Sequence, residues 1–185
     1  MAHDLHAVRV AILATDGFEQ SELLEPRRAL DEAGASTEVV SLKNGKIGGW
    51  NHKEWGESVG VDKTVDSVDA KNYDALLLAG GVMNPDSLRM EAKAVAFVKA
   101  FFDAKKSVAA ICHGPWTLIE AGAVKDRTLT SWPSLKTDIQ NAGGNGVDQE
   151  AVVDGNLVTS RNPKDIPAFN RAIAKLFAHA QSCAA

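Results

Sequence analysis

A cysteine followed at once by a histidine closes the apolar run "SVAAICHGPW", residues 107–116. A thiol beside an imidazole can supply a nucleophile together with a base to take its proton. The flanking residues carry as much information as the pair itself. Ala110 and Gly114 stand two places before and two after Cys112, where a strand that turns sharply into a helix needs small side chains to avoid a clash. Such a nucleophile elbow lifts Sγ above the sheet. It also sets the sulfur near the first helical turn, whose unpaired N–H groups and dipole favour a thiolate and can donate to a developing oxyanion. Pro115 falls in that turn, where its missing N–H costs little. A small buried residue at a strand end is the competing reading for most free cysteines; the elbow and the adjacent His113 favour a reactive thiol. Adjacency alone leaves two roles open for His113, the base of the thiol or a cap at the helix start.

A second set of chemical groups follows another apolar run. "ATDGFEQSELLEPRR", residues 14–28, offers Asp16, Glu19, Glu22 and Glu25. Carboxylates near a helix start are ordinarily solvated and matched to the dipole, and that is the reading for Glu19 and Glu25. Pro26 has no N–H for the Glu22 carbonyl, so this helix is expected to kink or to start late. The glycines of "GGV", residues 80–82, end a third apolar run. The backbone N–H groups of Gly80, Gly81, Val82 and His113 are therefore candidates for an oxyanion site.

The remaining chemistry is thin. Cys183 lies in "AQSCAA" without elbow flanks, and is expected to be non-catalytic. No CxxC pair exists, and His3, His6, His52, His113 and His179 show no HxxxH or HExxH spacing. No metal site and no cofactor are expected.

The elements that must hold these residues follow from periodicity. Residues 8–14, 73–81 and 107–111 are nearly continuous apolar runs, as buried parallel strands are, and 36–42 alternates well enough for another. Helical spacing is read over 19–34, 87–106, 114–123, 134–143 and 163–179. "AVVDGNLVTS", residues 151–160, carries the Asp-Gly signal of a hairpin. Strands alternating with helices predict an α/β three-layer sandwich with a mainly parallel sheet. The polar, glycine-rich stretch 43–67 breaks the alternation and reads as an inserted loop or small hairpin. The 185 residues, without repeats or a linker, are read as one domain spanning 1–185.

Composition narrows the function classes. A net charge of −4 gives no electrostatic footprint for nucleic acid or an anionic membrane. No apolar stretch reaches the about 18 residues of a membrane span. The N-terminus lacks the basic and apolar regions of a signal peptide, so a cytoplasmic location is expected.

"ATDGFEQSELLEPRRAL", "YDALLLAGGVMNPDSLR", "AAICHGPWTLIEAGAVKDRTLTSWPSLKTDIQNAGG" and "LVTSRNP" together resemble the PfpI branch of the ThiJ/PfpI superfamily, in order and over nearly the whole chain. The resemblance implies a flavodoxin-like sheet of the class I glutamine amidotransferase type, with Cys112 on the elbow. It implies that Glu22, four residues before the helix proline, is protonated and hydrogen-bonds the cysteine sulfur. The ThiJ-like branch takes a histidine from the strand after the elbow helix. This chain has Trp132 there, so its site histidine is expected to be His113. An acid from a neighbouring subunit often completes the site, which implies a homo-oligomer and falls on Asp86; the family's archetype has Glu there and a shorter loop. The implied activity is that of a stress-associated cysteine hydrolase on peptides or on small glycated or aldehyde-adducted carbonyls. The alternative is a redox-sensing or chaperone-like protein with an oxidisable Cys112.

Overall fold

In a computed structural model, residues 4–179 are described; Cys183 lies outside them. The strands are β1 (Arg9–Leu13), β2 (Phe18–Glu19), β3 (Ser36–Ser41), β4 (Lys46–Asn51), β5 (Glu54–Gly60), β6 (Lys63–Thr64), β7 (Ala75–Leu78), β8 (Ser107–Ile111), β9 (Thr128–Leu129), β10 (Asn145–Gly146), β11 (Ala151–Asp154) and β12 (Leu157–Ser160). The helices are α1 (Gln20–Glu32), α2 (Met83–Met90), α3 (Ala92–Asp103), α4 (Pro115–Glu120), α5 (Lys136–Asn141) and α6 (Ile166–Ala178).

The main sheet runs in the order β11-β12-β8-β7-β1-β3-β6, with every neighbour parallel except the β11–β12 pair. Its five central strands, taken in chain order, give the flavodoxin-like arrangement 2-1-3-4-5. Successive side chains of a strand point to opposite faces, and the apolar runs feed two cores accordingly. Val10, Ile12, Ala75, Leu77, Ala109 and Ile111 face the layer that contains Leu23, Leu30, Phe169 and Phe177 of α1 and α6. Ala11, Leu13, Leu76, Leu78, Val108 and Ala110 face Phe97, Phe101, Leu118 and Ile139 on the other side. The expected three-layer α/β architecture is therefore present.

Three local expectations need correction. The helix read over 87–106 is two helices, α2 and α3, separated at Glu91, whose backbone is extended (φ −97°, ψ 106°). Helix α2 starts at Met83, before the expected position, because Pro85 sits in its first turn, where no N–H is needed. Of the two expectations for α1, the late start is not met: the helix begins at Gln20 and runs on with Pro26 inside it.

Within 43–67, β4 and β5 form an antiparallel hairpin that pairs through β4 with β2 in a second, three-stranded sheet, while β6 joins the edge of the main sheet beside β3. Two polar side chains moor the hairpin. Asp16 Oδ1 accepts the Gly48 N–H at 2.8 Å while its other oxygen pairs with Lys43. Gln20 Oε1 accepts the Glu57 N–H at 2.7 Å. Among the described residues, no helix is long and apolar enough to cross a membrane.

Candidate active site

The strand order reverses between β1 and β7, because β3 and β6 extend one way and β8 and β12 the other. Ligands of open α/β sheets bind outside the strand carboxyl ends at such a switch. Buried Asn84 ties this crevice together. Its Oδ1 accepts the Thr15 N–H beyond β1 at 2.7 Å, and its Nδ2 donates to the Ala79 and Gly80 carbonyls beyond β7 at 3.0 and 3.1 Å. Nothing in its sequence context singled Asn84 out, since an amide bridging two strand ends leaves no periodic signal.

Cys112 follows β8 directly, with φ +63°, a left-handed conformation that costs a non-glycine residue about 1–2 kcal/mol. The strain is held in place from both sides. The Cys112 N–H donates to the Ser160 carbonyl at 3.0 Å, and its carbonyl accepts the Trp132 N–H at 2.9 Å. Gly114 is small for the expected steric reason: a Cβ there would stand 2.9 Å from the Ile111 carbonyl oxygen and 3.1 Å from that of Leu78.

His113 Nδ1 lies 3.2 Å from Cys112 Sγ. The ring is stacked on Trp132, 5.8 Å between centroids, and meets Trp116 edge-on at 5.0 Å. Trp116 is itself fixed by donating Nε1–H to Asp138 at 2.8 Å and by the Arg89 guanidinium 4.6 Å from its ring. Burial pushes the His113 pKa below the usual histidine value, so the ring is neutral near pH 7.

Glu22 is wholly buried in the first turn of α1. Burial, reinforced by the Glu19 charge, raises its pKa to about 8. The Cys112 thiol and the Gly80 and Gly81 amides lie towards it and favour the charged form. Neither carboxyl oxygen closes a well-formed hydrogen bond, so burial prevails and the group is an acid at neutral pH. The thiol is also pushed up, first by burial and then by the Glu22 charge, against the Gly81 and His113 N–H groups, which pull it down. This differs from the thiolate expected at a helix start: α4 spans only six residues, and desolvation outweighs what its end supplies.

The other acidic candidates separate. Glu25 pairs with Arg28 at 3.3 Å, and Asp16 serves the hairpin. Asp86 stands inside the first turn of α2, half-exposed and 2.8 Å from Arg89. The structure gives it no contact with His113 of its own chain.

Cys112 and His113 open into a cleft of about 570 Å³ that also involves Glu19, Glu22, Gly81 and Val82. Its remaining walls come from stretches outside the expected site: Trp50 and His52 from the hairpin, Trp132, and the loop 162–164 after β12. Only tertiary structure brings these together. Among the described residues, no group of three or more His, Cys, Asp or Glu is placed to hold a metal ion.

Residues 8–176 match the DJ-1/PfpI family. The chain belongs to the DJ-1/PfpI family. General stress protein 18 of Bacillus subtilis is 46% identical to this DJ-1/PfpI chain over 88% of it and 94% of that protein. A deglycase of Thermococcus kodakarensis is 44% identical, covering 91% of this chain and 99% of the relative. Among solved structures, a two-domain protein of Anabaena variabilis with DJ-1/ThiJ/PfpI-like and ferritin-like domains superimposes with a TM-score of 0.86 at 36% identity. That match covers 91% of this chain but 47% of the two-domain protein, so the chain spans about half the latter's length.

Proposed function

We propose that this DJ-1/PfpI protein is a cytoplasmic, stress-associated cysteine hydrolase that attacks carbonyl carbon through Cys112, in glycated or aldehyde-adducted amines or in peptides. The observation that carries the reading is the 3.2 Å approach of His113 Nδ1 to Cys112 Sγ at the floor of an open cleft. The deglycase and stress-protein relatives support it.

The resting state pairs a thiol with a neutral imidazole and a protonated Glu22. As sulfur adds to the substrate carbon, its proton passes to His113, so no free thiolate has to persist. The carbonyl oxygen becomes an oxyanion, for which the Gly81 and His113 N–H groups beside the sulfur are donors in place. In a peptide the C–N bond of that carbon then breaks, the nitrogen leaving with the proton from His113, and water hydrolyses the thioester. In an aldehyde adduct sulfur replaces the nitrogen on the hydroxyl-bearing carbon, and the hemithioacetal collapses to free aldehyde and thiol. Protonated Glu22 adds no second negative charge while the oxyanion carries one. In the assembled protein, a homo-oligomer on this reading, Asp86 of a second copy orients His113.

The test is turnover by wild type and Cys112→Ser on glycated amino acids, methylglyoxal and fluorogenic peptides. Activity lost in the serine protein is expected. Equal activity in both proteins would assign the turnover to a contaminant. Peroxide-dependent, stoichiometric modification of Cys112 without turnover would replace the hydrolase with a redox sensor.

A further inference from the structure

The lining of the cleft at Cys112 holds two chemically different groups. Glu19 and His52, close enough to interact electrostatically, form one, and the contiguous Asn162, Pro163 and Lys164 form the other. The second group is built to donate. Arg161, next to the cleft, is committed to Asp165 at 2.8 Å and to Asp148 at 2.6 Å. Lys164 is exposed and, among the described residues, has no such carboxylate for its ammonium. Asn162 Oδ1 is taken up by the Lys164 backbone N–H at 3.0 Å, which leaves the amide N–H groups of Asn162 as what it can offer a ligand. This stretch thus brings an unmatched positive charge and an amide donor to the cleft that holds the reactive sulfur.

We propose that Lys164 and Asn162 form an anion-recognising rim, so that the substrate carries a carboxylate close to the carbon that Cys112 attacks. This rests on Cys112 being the nucleophile and narrows its substrate class. An aldehyde adduct on the amino group of a free α-amino acid has such a carboxylate, whereas the same adduct on a lysine side chain of a folded protein does not. The apolar rings of Trp50 and Trp132 cover the aliphatic part of either substrate and do not discriminate between them. Discrimination therefore falls to the charged rim.

Two alkylating reagents isolate this charge. Iodoacetamide and iodoacetate both form an S–C bond with expulsion of iodide, and they differ only in carboxamide against carboxylate. Labelling rates are read at Cys112 by peptide mapping, separately from Cys183. Lys164→Met is expected to lower the iodoacetate-to-iodoacetamide rate ratio about three-fold, and Lys164→Glu about ten-fold, as one semi-exposed charge contact allows. Lys164→Arg should keep the wild-type ratio, added salt should compress the differences, and iodoacetamide rates alone should not change. An unchanged ratio in both charge-altering variants, with normal iodoacetamide labelling, overturns the rim and leaves Cys112 as nucleophile. Inertness of wild-type Cys112 to both reagents overturns the nucleophile and the rim together.

Discussion

Glu22 and Cys112 meet across a space that exists only because residue 80 has no side chain. A Cβ at Gly80 would stand 2.6 Å from Cys112 Cβ and 2.8 Å from the Ile111 carbonyl oxygen, and would also collide with the Glu22 carboxyl. One position therefore governs the distance between an acid and a thiol that reach it from helix α1 and from the end of strand β8.

Gly80→Ala should consequently damage chemistry more than fold. The added methyl must displace backbone at 111 or the two side chains, a clash that typically costs about 1–3 kcal/mol. Urea unfolding should register that loss. Iodoacetamide labelling of Cys112 should change at least about ten-fold, on the scale of one misplaced group in a reacting constellation. Wild-type labelling kinetics in the alanine protein would show that the close approach has no bearing on the sulfur.

The Glu22 carboxyl also sets a pH dependence of stability. Its pKa rises from 4.5 to about 8 on folding, so the native state binds the extra proton. The stabilisation is fully present below pH 4.5 and is lost as pH rises through about 8. Between these limits wild type should lose stability relative to Glu22→Gln, whose amide does not titrate. Parallel stability curves for the two proteins across that window would place the Glu22 pKa near its ordinary value.

The same carboxyl should act on the thiol. Below about pH 8 Glu22 is an acid able to donate towards sulfur. Glu22→Gln retains an N–H donor and Glu22→Leu retains none. The leucine protein should therefore show the higher thiol pKa and the slower alkylation at neutral pH. Coincident thiol titrations for wild type and both variants would remove Glu22 from the chemistry.

The strands beneath the site were legible in sequence because burial on both faces leaves continuous apolar runs, as at 73–81 and 107–111. Gly114 was legible because a tight strand-to-helix turn forces residue size locally, and it marks Cys112 two places before it. The break at Glu91 was not: no glycine or proline marks the residue where the backbone turns extended between α2 and α3. The early start of α2 was hidden because Val82 caps it without a side-chain hydrogen bond. Glu22 was named by family pattern rather than by spacing; its burial depends on how α1 lies against the ends of β7 and β8. Trp50 and His52 reach the cleft from the β4–β5 hairpin and Lys164 from the turn after β12, and no local rule links them to residue 112.

Asp86 tests whether the site is shared between subunits. Asp86 does not cap α2, which begins at Met83 and has no side-chain cap. The exposed pair with Arg89 is worth about 0–1 kcal/mol, so Asp86→Ala should fold normally. Inactive Asp86→Ala and Cys112→Ala chains should regain activity when co-assembled. Mixed oligomers without recovery, or a fully active monomer in sedimentation, would confine Asp86 to its own helix.

The hairpin β4–β5 has a consequence for how such a protein can change over generations. The wall bearing Trp50 and His52 is encoded by residues 46–60, while the sulfur and its support come from 75–81 and 107–114. The two are joined through residues 16–20, outside both stretches, by the side chains of Asp16 and Gln20 and by the pairing of β2 with β4. Mutations in the hairpin can therefore reshape what enters the cleft without disturbing the strained turn at Cys112. Duplicated copies of this gene could diverge in diet while keeping the same teeth.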